Sequence, residues 1–164
     1  MDGDPAAGRP DPCPLKTALQ QALPAAAAVD LERALDGLWA SGRFAVERPP
    51  QPGLVMCTVV DPFDTPIHLG EVRVTRADVL FDMRHRGCGV VCGDEPEPAL
   101  LLAAVEAAER GGGGALLGGI REWAERLGAV RDARQARESR CAAATHVRFE
   151  SMRREQVDFG SLGG

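Results

Sequence analysis

Between Ile67 and Phe81 apolar and polar side chains alternate, but on a phase that changes. Ile67 and Leu69 fall on odd positions, Val72 and Val74 on even ones, and Val79 and Phe81 on odd ones again. Successive side chains of a strand point to opposite faces, so each one-residue slip turns the later residues over. Gly70 stands at the first slip, where a bulge would use its missing Cβ; Ala77-Asp78 stands at the second, where a bend or second bulge could reset the register. Continuing the Val72, Val74 face brings Arg76 toward the core, where a guanidinium must be paired. Two accounts stay open. Either Arg76 is structural, paired with Asp78 two positions on or carried outward by a strand that has already turned, or Glu71, Arg73, Thr75 and Arg76 together present an anion-binding or subunit-docking surface.

Around this stretch the pattern predicts helices on both sides and further strands beside it. Leu15, Ala18, Leu19, Ala22 and Leu23 recur at helical spacing until Pro24. Asp30 reads as the cap of a second helix with Leu31, Ala34, Leu35, Leu38 and Trp39 on one face, stopped by Gly42. Phe44 and Val46 alternate before Pro49-Pro50, and the β-branched run Leu54 to Val60 reads as a central strand ending in the turn-rich segment Asp61 to Pro66. After a turn at His85-Arg86-Gly87 comes Val90-Val91-Cys92. Asp94 to Glu97 has capping-box spacing and introduces a helix carrying Leu100, Leu101, Ala104, Val105 and Ala108, which Gly111 to Gly114 end. Ile120, Trp123, Ala124, Leu127 and Val130 mark another helix that runs toward Arg140 with a weak apolar face, and Thr145 to Met152 alternates again. The expectation is an α+β fold: a mostly antiparallel sheet of four to five strands flanked by N-terminal and C-terminal helices.

Length and composition narrow this to one domain, residues 15–152, between a disordered tail at 1–14 and a flexible one at 153–164. A net charge of -5 opposes a broad phosphate-tracking surface, so nucleic acid is not expected as a partner. No stretch reaches the length of a membrane span and the first residues lack a signal pattern, so the expected place is the cytoplasm, with no membrane partner. Five scattered cysteines, Cys13, Cys57, Cys88, Cys92 and Cys141, read as small side chains without a disulfide framework.

Candidate chemistry is sparse. The run Gly111 to Gly114 follows a helix and lacks the Lys-Ser or Lys-Thr of a phosphate loop, so it reads as a hinge. Cys88 and Cys92 on one strand would lie about 13 Å apart, too far for a single zinc. His68, His85 and His146 sit in no recognisable catalytic motif. Arg131, Arg134, Arg137 and Arg140 recur every third residue as a basic ridge that reads as a solvated face, a subunit contact or an anion site, in that order. With Phe149 and Met152 in the alternating segment beyond, Arg131 and Arg134 make a candidate partner interface, because these weak apolar faces would be marginal alone. No catalytic residue, metal site or cofactor is called.

Gly53-Leu54-Val55-Met56, then Leu69-Gly70-Glu71-Val72-x-Val74-Thr75-Arg76, Val79, and Ala143-Ala144-Thr145-x-Val147-x-Phe149-x-Ser151-Met152 resemble the landmarks of PhnG, the G subunit of the carbon-phosphorus lyase core complex. Gln51-Pro52-Gly53 stands where the family tends to carry Glu-Thr-Gly, Gly93-Asp94 where it has Gly-Arg-Asp, and Phe149-Glu150-Ser151-Met152 where it has Phe-Phe-Thr-Met. The resemblance implies bacterial phosphonate catabolism, in which an α-D-ribose 1-alkylphosphonate 5-triphosphate is made from ATP and phosphonate with release of adenine. It implies a subunit of that synthase, a transferase, with no active site of its own. Its partners would be subunits H, I and J, with the ATPase-like K and L subunits as further candidates. The rival reading is a non-enzymatic protein-interaction domain unrelated to phosphonates.

Overall fold

The computed structural model describes residues 13–145. Helices α1 (Pro14–Ala22) and α2 (Ala28–Trp39) precede strands β1 (Phe44–Val60), β2 (Pro66–Phe81) and β3 (His85–Cys92); α3 (Pro96–Arg110) and α4 (Gly118–Ala144) follow. The strands form one antiparallel sheet in the order β1-β2-β3. The fold is therefore α+β as expected, but the sheet has three strands among the described residues, not four to five. Two expected strands fuse into β1, which runs through Pro49, Pro50 and Pro52 and lies at the edge, not the centre. Proline has no N–H to donate, and an edge strand tolerates that loss. The expected strand Thr145 to Met152 lies outside the described residues save for Thr145.

Gly70 sits at a bulge: Cys57 pairs with Gly70 and Thr58 with His68, so Leu69 is the extra residue, and Gly70 takes φ +133°. The second slip is not in β2. From Thr75 to Phe81 every odd residue is buried and the pairing with β3 is unbroken; the irregularities lie across the hairpin in β1, between Val46 and Gln51. The turn into β3 is also earlier than His85, formed by Asp82 and Met83 at positive φ, with Arg84 N–H donating to the Phe81 carbonyl. Helix starts differ slightly as well. Asp30 lies inside the first turn of α2 behind Ala27, and α3 begins behind Glu95 without a side-chain cap, so Asp94 closes no capping box.

Helix α3 is the middle layer, with Ala99 and every residue from Leu101 to Ala108 buried. One side lies on the sheet, and α1 and α2 pack on it from the other directions, with α4 on α1. At the sheet side the backbones nearly touch. A Cβ on Gly89 would lie 1.9 Å from the Ala99 carbonyl oxygen, and one on Gly87 would lie 2.0 Å from that of Ala103. Phe81 fills the end of this layer, with Phe44 and Trp39 stacked beside it and the Arg43 guanidinium over its ring.

The free edge of β3 is closed by side chains instead of a strand. Glu106 accepts from the Cys88 N–H at 2.8 Å, Lys16 donates to the Cys88 carbonyl at 2.7 Å, and Arg110 donates to the Arg86 carbonyl at 3.0 Å. Glu106 also pairs with Lys16 at 2.9 Å and with Arg110 at 2.6 Å, so one carboxylate ties together the two cations that cap this edge. Edges handled in this way offer no template for another strand.

Beyond Val74, the last β2 residue paired with β3, β1 and β2 continue as a two-stranded ribbon from Leu54 to Arg73. Its tip turns on Asp61, whose Oδ1 accepts from Phe63 and Thr65 N–H, both at 2.8 Å, and Phe63 is 86% exposed. A lone two-stranded ribbon is marginally stable in water. In hydrogen exchange the ribbon amides of the free chain are therefore expected to exchange far faster than those of Thr75 to Phe81, which lie between two strands and under α3. Equal protection of the two segments would show that the ribbon holds itself.

Candidate functional site

Alternation and register put Val72, Val74, Arg76, Asp78 and Leu80 of β2 on one face, with Val55, Gly53, Gln51, Arg48 and Ala45 opposite them on β1 and Cys92, Val90, Cys88 and Arg86 on β3. This is the face turned away from α3. Val55, Val72 and Val90 are exposed, and no helix among the described residues is layered over them. Arg76 therefore does not point into the core. The residues from Thr75 onward that face α3 are the odd ones, and Arg76 stands on the open side, 47% exposed.

What lies in the middle of that face is Asp78, whose side chain is fully buried although no element among the described residues covers it. Three arginines roof it. Arg86 Nη2 lies 2.9 Å from Oδ2, Arg48 Nε 3.3 Å from Oδ2, and Arg76 Nη2 3.3 and 3.4 Å from the two oxygens. Arg86 turns its Nε to Glu47 at 2.8 Å. Burial alone would push the Asp78 carboxyl up; hydrogen bonding from the Cys88 thiol, then Arg86 and Arg76, outweighs it and holds the group below the usual carboxylate range. Burial, followed by the Asp78 interaction, pushes the Cys88 thiol up, so it stays a neutral partner.

The four residues Glu71, Arg73, Thr75 and Arg76 do not share a surface. The first three lie on the α3 side of β2. Glu71 is exposed, Arg73 stands 3.9 Å from Asp94 with both side chains largely in solvent, and Thr75 is buried. Thr75 Oγ1 donates to the Gly93 carbonyl at 2.7 Å and accepts from Glu95 N–H at 3.0 Å, which fixes the chain as it leaves β3 for α3. Arg131 and Arg134 are on the half of α4 that extends past its last buried residue, Leu127. Arg131 donates to Gln21 and to Asp132, and Arg134 pairs with Glu138 one turn on. Phe149 and Met152 lie outside the described residues.

Arg48, Arg86 and Glu47 complete the cluster and were not singled out from the sequence. Arg76 and Asp78 announce themselves by their spacing in one strand. The others reach the same carboxylate only through the pairing of Arg48 with Asp78 and of Cys88 with Asp78, which no local pattern reveals.

Among the described residues no helix is long and apolar enough to cross a membrane. No curated protein matches the sequence. The chain does match the family model described as phosphonate metabolism protein PhnG, over residues 16–155. That span takes in the three strands, the arginine-roofed aspartate and all but the first residues of the helices, and the chain belongs to the PhnG family of phosphonate metabolism proteins.

Proposed function

We propose that the chain is an accessory, non-catalytic subunit of the carbon-phosphorus lyase core complex. In this reading it is needed for forming an α-D-ribose 1-alkylphosphonate 5-triphosphate from ATP and a phosphonate. Its partners are subunits H, I and J, with the ATPase-like K and L subunits joining them, and its place is the cytoplasm. Family membership supports the setting. The observation that carries the role is the open sheet face, where Val55, Val72 and Val90 stand exposed beside a ribbon that also exposes Leu54, Met56, Val60, Phe63, Ile67 and Leu69. Apolar surface of this extent on a small domain marks a contact with another protein.

Co-expression with candidate H, I and J subunits is expected to give one assembly on size-exclusion chromatography. Elution of the chain by itself, separate from an assembled H, I and J, would overturn the subunit reading. The chain alone, incubated with ATP and methylphosphonate, should release adenine no faster than buffer. Faster release that disappears on substitution within this chain would make it an enzyme in its own right.

A further inference from the structure

We infer that the open sheet face takes a partner surface of defined chemistry: an apolar ridge seated along Val55, Val72, Val74 and Val90, ending in a carboxylate that engages Arg48 and Arg76. The inference rests on the subunit reading and adds to it what the docking surface of the partner must contain.

The apolar part follows from register. Val55 pairs with Val72, Val74 with Cys92, and Arg76 with Val90, so the valines form one patch across three strands and the arginines begin where it ends. The charged part follows from a count. Among the described residues, Arg48, Arg76 and Arg86 bring three positive charges to the face and Asp78 and Glu47 bring two negative ones, so one positive charge is left over. Glu47 takes up Arg86, so the excess sits on Arg48 and Arg76, which are 45% and 47% exposed. Arg48 meets Asp78 through Nε and Arg76 meets it through Nη2, so each planar guanidinium keeps further N–H donors in the geometry that a carboxylate accepts as a pair. Asp78 also holds both arginines in place before any partner arrives, which lowers the ordering cost of binding.

A second copy of this chain is a poor occupant. Both carboxylates that the described residues place on the face, Asp78 and Glu47, are already paired, so two copies face to face would set arginine against arginine or arginine against valine. An acidic residue from a different chain satisfies the face, and like-charge contact rejects a second copy placed face to face.

The test uses the purified chain and the co-expressed H, I and J subunits, with affinity measured across a salt series. The Arg48→Gln, Arg76→Gln double variant is expected to bind on the order of tenfold more weakly at low salt and to lose most of the salt dependence. Val72→Ser with Val90→Ser should weaken binding by a similar factor at every salt concentration. Arg76→Lys keeps a charge over Asp78 but loses the paired donors; it should fold as the parent does and still bind more weakly, which keeps the test usable if the double variant unfolds. Unchanged affinity in all three variants, with the parent binding normally, would overturn this surface and leave the subunit reading standing. A parent chain that does not bind at all would overturn both. Binding of free methylphosphonate by the chain alone, lost in the double glutamine variant, would replace the carboxylate with a small-anion site and overturn the inference.

Discussion

Gly89→Ala is expected to destabilise the protein by about 3 kcal/mol, a large share of the about 5 to 15 kcal/mol that holds a domain together. The added methyl would lie 1.9 Å from the Ala99 carbonyl oxygen and 2.9 Å from the Ala103 nitrogen, and both are backbone atoms of a helix that is buried on all sides. No side chain can rotate aside, so either α3 lifts off the sheet or β3 bends away from β2. Denaturant unfolding should show a lower midpoint with an unchanged slope. Gly128→Ala is the matched control. Nothing lies within 4 Å of a Cβ built there, and the residue is inside α4, so alanine should raise stability by about 0.5 to 1 kcal/mol. If the two variants behaved alike, the contact between β3 and α3 would be looser than described above.

The second large effect is expected at Asp78. Asp78→Ala should cost about 2 to 3 kcal/mol, because it removes charge-assisted hydrogen bonds and leaves three guanidiniums crowded together. The figure stays below the cost of orphaning a fully buried charge, since the arginines are half in water and can turn toward it. For the same reason Arg76→Ala should cost only about 1 kcal/mol or less, with Arg48 and Arg86 still on the carboxylate. The Asp78 contribution also depends on pH. Its folded value lies below the unfolded one of about 3.9, so the stabilisation is complete above that unfolded value and is lost as pH falls toward the folded one. The stability difference between parent and Asp78→Ala, followed by denaturant titration, should thus be constant near neutrality and shrink in acid. A difference that grew on acidification would mean that the carboxyl is held neutral instead.

Much of this was legible residue by residue. Helical periodicity located every long helix, and Gly70 marked its bulge, because both signals come from neighbours in the chain. The inward face of β2 was misread for a physical reason. Val72 and Val74 are apolar in order to line an open face, and Thr75 and Ala77, which look unremarkable, are the buried pair. Hydrophobicity reports burial only where another element of the same chain is layered over the residue, and none of the described elements covers this face. The same limit explains β1, where three prolines suggested a break between two strands, although an edge strand loses little by carrying them. The cluster at Asp78 was half visible, since Arg76 and Asp78 share a strand while Arg48 and Arg86 arrive through pairing.

The close seat of α3 on β3 has a dynamic consequence. Gly87 and Gly89 meet Ala99, Ala103 and Ala107, and none of these residues has a rotamer to change. A joint between ordinary side chains can absorb a small displacement by χ rotation, but this one cannot. Strand and helix therefore move as one body, and a push on the open face of β3 is passed to α3, while the leucines that join α3 to α1 and α2 are where such a displacement can be absorbed.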